Sequence, residues 1–197
     1  VYTTFPLDQK NASVTRALVA IHGGGRNADN YFRSVAAAAF LANALDDTIG
    51  IAPRFASNDG GNCKDTLAAN EFNWPCAGNN WGRGGGAVGN GEITSYDLAD
   101  EILRKLADRT VFPNLKSIVF AGHSAGGAYA AVLAYAGSLR AAAVFILSAP
   151  YRTVLALTDL DHAAPILMVY GSNDPNYQGG NATAFRQQWD RLRVPWQ

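Results

Sequence analysis

The pentapeptide Gly-His-Ser-Ala-Gly at positions 122–126 constrains the fold of this chain more than any other stretch. An apolar run at 118–121 precedes it, and an alanine-rich run typical of a helix follows it. The pentapeptide is therefore predicted to form the turn between a buried strand and a helix. Such a turn holds Ser124 in a strained backbone conformation that lifts its hydroxyl off the sheet, while the flanking glycines keep strand and helix apart. We expect Ser124 to be a nucleophile.

Alternating strand and helix patterns surround this turn. Strands are predicted at 1–7, 15–21, 48–52, 141–147 and 165–170, and helices at 27–45 and 92–109. The second of these helices has a capping-box pattern at Thr94 and Asp97. Strands that are apolar throughout and alternate with helices indicate a mostly parallel sheet. The predicted fold class is α/β, with helices covering both faces of the sheet.

Composition limits the number of domains and the classes of partner. At 197 residues, 48% of them hydrophobic and 16% charged, the chain is predicted to form one domain. Its formal net charge is zero and it has no basic run, which argues against a nucleic acid or a membrane surface as partner. The three histidines lie away from the two cysteines, so we expect no metal site. No cofactor is implied either.

The cysteines and two glycosylation sequons indicate a secreted protein. Cys63 and Cys76 enclose a polar segment, and the sequons begin at Asn11 and Asn181. We expect a Cys63–Cys76 disulfide, glycans on both asparagines and an oxidising compartment. The alternative is that the sequons arise by chance and that the cysteines are free thiols.

The segment 55–91 has no periodicity and is rich in asparagine and glycine. It carries both cysteines together with Trp74 and Trp81. Loops at the carboxyl ends of parallel strands surround the ligand crevice, so we expect this inserted, disulfide-stapled loop to form one wall of the site. Its tryptophans are predicted to bind substrate. The alternative is a surface loop packed on itself, with the tryptophans buried.

A glycine run follows the predicted strand at 15–21. Positions 22–25 are His-Gly-Gly-Gly, and glycines leave backbone N–H groups open to the close approach of an oxygen anion. The alternative is an ordinary flexible turn. Because the glycine run occurs together with the predicted turn at Ser124, we favour an anion site.

Together, the glycine run at 22–25, the pentapeptide at 122–126 and Gly-Ser-Asn-Asp-Pro at 171–175 resemble the α/β-hydrolase family over most of the chain. The chain looks most like the secreted esterases of that family that have little lid. The resemblance implies Ser124 as nucleophile and Asp174 as the triad acid. It also implies oxyanion donors at the backbone N–H groups of Ala125 and Gly24, with Gly25 in reserve. Alternatively, Asp174 only caps its loop.

The triad histidine is missing from the position that the resemblance requires. No histidine follows Asp174, and His22 belongs to the glycine run. His162 precedes its predicted strand, and His123 occupies the variable position of the turn, where we expect it to contact the substrate. Loss of a triad histidine costs roughly 10⁶ in turnover.

Three explanations of the missing histidine remain open. The favoured one is that residues 1–197 form a single domain that is incomplete at its C-terminus, with the histidine on a following segment or a second chain. Residues 1–197 are also expected to lack the family's last strand and helix, and ending there would leave an edge of the sheet exposed. The second explanation is an inactive protein that keeps its binding pocket, and the third is a base of another kind.

The expected function is hydrolysis of a carboxylic ester through an acyl-enzyme on Ser124. The partner is then a small-molecule or polymer-attached ester, with short-chain or aromatic groups preferred over long-chain triglycerides. The alternative is a catalytically inactive, ligand-binding protein with this fold.

Overall fold

The computed structural model describes residues 1–136, 143–147 and 166–169. We number their strands and helices in chain order: β1 Tyr2–Thr3, β2 Arg16–Ile21, α1 Ala28–Leu41, β3 Thr48–Ala52, β4 Gly86–Ala87, β5 Asn90–Thr94, α2 Ser95–Ala107, β6 Ser117–His123, α3 Ala125–Ala136, β7 Ala143–Leu147 and β8 Ile166–Val169. Two 3₁₀ segments, Leu45–Asp47 and Ala77–Arg83, complete the described part of the chain.

The central sheet is mostly parallel, as predicted. Its six strands lie in the order β1-β3-β2-β6-β7-β8. β2 pairs in parallel with both β3 and β6, and β7 pairs in parallel with β6 and β8. The carboxyl ends of β2 and β6 therefore lie side by side, with Ile21 opposite Gly122. This places the glycine run beside the pentapeptide.

The strand at the start of the chain is shorter than the predicted 1–7 and runs the other way. Only β1 is formed, and it is antiparallel to β3. The Thr3 hydroxyl donates to the Phe5 carbonyl, which turns the chain, and Pro6 has no N–H to continue a ladder.

Helices cover both faces of the sheet. On one face, strand side chains form a single buried cluster with α2 and α3, which includes Val19, Ile51, Phe120, Ile102, Leu106, Tyr129 and Leu133. The opposite face packs against α1, where Val35 lies over Gly50. Successive residues of a strand point to opposite faces, so both faces are apolar. None of the helices in the described part of the chain is long and apolar enough to cross a membrane.

The helix α2 begins three residues later than predicted because the residues before it form a strand. β5 pairs with β4 in a small antiparallel hairpin. The predicted capping box is confirmed: Thr94 accepts from the backbone N–H of Asp97, whose carboxylate in turn accepts from the backbone N–H of Thr94. Caps of this kind contribute about 1 kcal/mol each.

Candidate functional site

Ser124 lies in the strained turn that the sequence predicts. It follows β6 directly, precedes α3 and has a backbone φ of 55°. Its carbonyl accepts from the N–H of Ala128 at 3.1 Å, which closes the first turn of α3. A non-glycine residue with this φ costs of order 1 kcal/mol or more, and such strain concentrates at functional sites. The helix N-terminus also favours negative charge at this point.

Two glycines make the turn possible because nothing larger fits. A Cβ on Gly122 would overlap the backbone of Gly126, and one on Gly126 would overlap the carbonyl oxygens of Ile21 and His22. The turn is therefore wedged between its own helix and the end of β2. The strand–turn–helix prediction is confirmed.

The glycine run passes directly beside the serine. A Cβ on Gly23 would lie 3.5 Å from the Cβ of Ser124. The Gly23 carbonyl accepts from the N–H of Arg26 at 3.1 Å, which makes a tight turn in which Arg26 has a positive φ of 56°. Sequence reasoning selected Gly24 and Gly25 and missed Gly23, since three consecutive glycines give no signal for which one faces the serine.

His22 holds the glycine run in place. The ring is fully buried, its Nε2 accepts from the backbone N–H of Phe55 at 3.1 Å, and its Nδ1 lies 2.8 Å from the Gly23 carbonyl. Nε2 accepts, so the proton of the neutral ring is on Nδ1 and is donated to Gly23. Burial is the main cause that lowers the pKa of His22 from 6.5 to about 4, against the opposing effect of the Gly23 hydrogen bond. The two hydrogen bonds of the ring therefore connect the glycine run to the backbone of Phe55.

This buried ring predicts an acid-sensitive stability. Between pH 6.5 and about 4 the unfolded chain protonates His22 and the folded chain does not, so the free energy of unfolding falls as the pH falls through this window. The total loss in the free energy of unfolding is about 3 kcal/mol, and it is complete once the pH lies below the pKa of His22 in the folded chain. Urea unfolding from pH 7 to 4 measures it. His22→Gln, which cannot titrate, should remove this part of the slope, and an unchanged slope would contradict the assignment.

The serine opens into a small pocket walled by the inserted loop. The pocket has a volume of about 180 Å³ and is lined by Gly78, Asn79, Gly82, Arg83, Ser124, Ala125 and Ala128. Four of these residues come from the 3₁₀ segment Ala77–Arg83, which packs on the start of α3. Residues of segment 55–91 thus line the pocket that contains Ser124, and the predicted role of this segment as a wall of a substrate site stays a prediction. Ala125, a predicted oxyanion donor, lies in this pocket.

The predicted role of the tryptophans is wrong. Trp81 is fully buried and Trp74 is 2% exposed. Trp81 stacks on Phe55 at 4.5 Å between ring centres, and Trp74 meets the edge of the same ring at 5.4 Å. Phe55 follows the end of β3, so the two indoles bury against the sheet and anchor the loop. They offer no face to a substrate.

His123 does not lie in the serine pocket. Its side chain is exposed, and its Nδ1 is 2.8 Å from the hydroxyl of Tyr31 on α1. Together with Tyr31 it lines a separate, mostly apolar pocket of about 430 Å³ between α1, β2 and β6. The position of the His123 side chain therefore does not support the predicted contact between His123 and a substrate bound at Ser124.

A larger, polar pocket adjoins the serine pocket. It has a volume of about 630 Å³ and lies between the glycine run and the disulfide, with Gly24, Gly25 and Asn79 in its lining. Asn79 also lines the serine pocket, so the two cavities meet at this residue. Charged side chains of both signs line the larger pocket: Arg26, Arg54, Lys64, Asp29 and Asp65.

Arg26 fastens the inserted loop to the glycine run. Its guanidinium donates to the carbonyls of Phe55 at 2.7 Å and Pro75 at 2.6 Å. The side chain is largely buried, and burial is the main cause that lowers its pKa. Arg54 pairs with Asp65 across the same loop. Sequence reasoning did not select Arg26, because an arginine beside a glycine run has no pattern of its own.

The predicted disulfide is present. Cys63 and Cys76 are bonded, with their Cα atoms 5.8 Å apart and a sequence separation of 13. The bond closes the part of the loop that lies beside the polar pocket, since both cysteines line that pocket.

Removal of the disulfide is expected to destabilise the protein. In the chain-entropy model, a loop of this length contributes about 3 kcal/mol. The double variant Cys63→Ser/Cys76→Ser should lose about this much free energy of unfolding in urea, and the reduced wild type should match it. Equal stability of the oxidised and reduced wild type would contradict the prediction.

Some predicted residues lie outside the described part of the chain. These are the proposed acid Asp174, the second sequon at Asn181, and His162. At the first sequon, the Asn11 side-chain oxygen accepts from the N–H of Ser13 at 3.0 Å and from its hydroxyl at 2.7 Å. Among the described residues, no cluster of three or more potential metal ligands is found.

Comparison with known proteins agrees with this architecture. The sequence profile described as "Alpha/beta hydrolase family" matches residues 18–196. No curated protein matches the chain significantly.

Solved structures share the fold at low sequence identity. The S-formylglutathione hydrolase of Staphylococcus aureus matches at 18% identity and a TM-score of 0.60, over 95% of this chain and 73% of its own. The fluorophosphonate-binding serine hydrolase F of the same organism matches at 18% identity and a TM-score of 0.59, over 98% and 77%. The esterase PE8 matches at 16% identity and a TM-score of 0.58, over 100% and 87%.

Proposed function

This chain belongs to the α/β-hydrolase family, and on that premise we propose that it is a serine hydrolase that cleaves carboxylic esters through an acyl-enzyme on Ser124. The observation that carries the proposal is the left-handed backbone of Ser124, at φ 55° between β6 and α3, on the wall of an open pocket. Structures of similar fold include a serine hydrolase and an esterase, which supports the same chemistry.

The proposed reaction has two halves. The Ser124 oxygen attacks the ester carbonyl while its proton passes to a general base, and the carbonyl oxygen becomes an oxyanion. The oxyanion collapses, the bond to the alcohol breaks, and the alcohol takes the proton. Water then repeats the attack on the acyl-enzyme and releases the acid. Backbone N–H groups of Ala125 and of residues 23–25 are the proposed oxyanion donors.

The base is proposed to be a histidine outside residues 1–197, oriented by Asp174. Within the described residues, both ring nitrogens of His22 have backbone partners and the Nδ1 of His123 lies beside Tyr31. This chain covers 73% and 77% of two similar solved chains, so each of those chains has residues without a counterpart here. A following segment or a second chain would supply the histidine.

The proposed substrate is a short-chain or polar ester. The serine pocket is small, its lining is glycine, alanine, Asn79 and Arg83, and the neighbouring cavity is polar. A long alkyl chain would leave these polar groups without partners, which is unfavourable. Trp74 and Trp81 are buried and cannot stack on an aromatic ester, so the proposed substrate does not include aromatic esters.

We also propose that the protein is secreted, on the strength of the Cys63–Cys76 disulfide and the sequons.

A fluorophosphonate probe tests the proposed function. It forms a covalent bond to an activated serine oxygen and releases fluoride. We would treat residues 1–197 and the product of the complete gene, each with a Ser124→Ala variant as control. The proposal expects labelling of Ser124 in the longer protein only. Labelling in neither protein would overturn it in favour of an inactive, ligand-binding member of the family.

A further inference from the structure

Asn79 has a left-handed backbone conformation, which is uncommon for residues other than glycine. It has φ 48° and ψ 42°, directly after Gly78 at φ 71°, and the two residues interrupt the 3₁₀ segment Ala77–Arg83. Asparagine is one of the few residues other than glycine that adopt this conformation readily, so the backbone at position 79 suits an asparagine.

The loop around Asn79 is fixed on both sides. Before it, Cys76 is bonded to Cys63, and the Pro75 carbonyl accepts from Arg26. After it, Trp81 is fully buried and its carbonyl accepts from the hydroxyl of Ser95 at the start of α2. The asparagine is thus presented by a rigid frame, which is what a positioned functional group requires.

The side chain of Asn79 reaches the glycine run. Its Nδ2 is 2.8 Å from the position that a Cβ on Gly24 would occupy, whereas its Oδ1 is 3.6 Å away. Asn79 also lines the pocket that contains Ser124. The side-chain amide of Asn79 therefore lies between Gly24 and the pocket at Ser124, with no hydrogen-bond partner among the described residues.

We propose that the Nδ2 amide of Asn79 donates a hydrogen bond to the carbonyl oxygen of the ester as negative charge develops on it. This inference rests on the proposed function and adds a side-chain donor to the backbone donors of Ala125 and the glycine run. A fixed neutral donor stabilises the oxyanion more than the ground state, so its removal lowers kcat rather than raising KM. Asn79 is then a catalytic residue from the inserted loop.

Two variants of Asn79 separate catalysis from loop structure. Asn79→Gly removes the amide but adopts a left-handed backbone without strain, and Asn79→Asp keeps the shape but replaces the donor with an acceptor. In the complete protein with 4-nitrophenyl acetate, we expect kcat to fall roughly 100-fold in both variants with KM nearly unchanged. Asn80→Asp, at an exposed neighbour that lines neither pocket, is the matched control and should retain kcat.

The pH dependence provides a second readout that a structural role would not produce. Below its pKa, an aspartic acid at position 79 carries a proton and can donate again. The kcat of Asn79→Asp divided by the kcat of Asn79→Gly should therefore rise as the pH falls toward 4. Both variants use the same general base, so the titration of that base cancels in this ratio.

The outcomes distinguish this inference from the proposed function. If the wild type labels with fluorophosphonate and Asn79→Gly retains kcat within about 3-fold, the inference is overturned and the proposed function stands. If the wild type does not label at all, the proposed function fails and the inference fails with it. A 100-fold loss accompanied by a matching loss of folded protein in Asn79→Gly would also overturn the inference, since glycine suits this backbone.

Discussion

Ser124→Ala is expected to abolish ester turnover in the complete protein, with a fall in kcat of about 10⁶. Without the hydroxyl no acyl-enzyme can form, and only the oxyanion donors and the pocket remain to accelerate attack by water. The fold should be retained, because Ser124 is only half-buried and alanine is smaller than serine. Initial rates with a short-chain 4-nitrophenyl ester measure the effect, and the free energy of unfolding in urea checks the fold.

A matched serine provides the control. Ser34 is exposed on α1, and its hydroxyl only donates to the backbone carbonyl of Asn30. Ser34→Ala should keep kcat within about 2-fold, as surface substitutions generally have small effects. A Ser124→Ala protein that retains a tenth of wild-type turnover would refute the assignment of the nucleophile.

Gly126→Ala is expected to destabilise the protein strongly. The added methyl group would overlap the carbonyl oxygens of Ile21 and His22, which are backbone atoms at the end of β2 and cannot rotate away. The helix α3 would have to move off the sheet, and the Ser124 turn with it. We expect a loss of about 4 kcal/mol or more in the free energy of unfolding, measured by urea unfolding or as a failure to accumulate folded protein.

Gly91→Ala is the corresponding control. Gly91 lies in β5, and a Cβ there would meet no atom within 4 Å. Its stability should stay within about 0.5 kcal/mol of the wild type. If Gly126→Ala unfolds at the same urea concentration as Gly91→Ala, then strand and helix are not in the contact described.

The sequence predicts the sheet well because its strands are continuous apolar runs. The predicted strand at 48–52 matches β3, Thr48–Ala52, and the predicted turn at Ser124 is present. Buried parallel strands need such runs, and a nucleophile turn needs small residues on both sides, so both features leave a clear mark in the sequence.

The inserted loop is where sequence reasoning fails for the site residues. The composition of the loop predicts that Trp74 and Trp81 bind substrate, but they pack against Phe55, a contact between parts of the chain that no periodicity reveals. Nothing in the sequence distinguishes Asn79 from the other asparagines of this polar segment, because its backbone conformation and its position beside Gly24 are known only from the structure. The tryptophans of such a loop can either face a substrate or be buried against the sheet. Here the nearby ring of Phe55 makes burial favourable.

The arrangement of the glycine run can be predicted from the sequence only in part. The run itself is predictable from the sequence, and the parallel pairing of β2 with β6 brings it to Ser124. Which glycine faces the serine depends on the tight turn at Arg26 and on the buried ring of His22. Arg26 and His22 both act through hydrogen bonds with backbone groups, and the identity of a single residue in the sequence does not predict such bonds.

Peptide mass spectrometry can show whether ester cleavage passes through an acyl-enzyme on Ser124, as we claim. The product of the complete gene would be mixed with excess 4-nitrophenyl butyrate, quenched in acid during turnover and digested. We predict a butyryl group on the peptide that contains Ser124, and none in Ser124→Ala. Turnover with no acyl group on Ser124, or with the group on another residue, would contradict the claim.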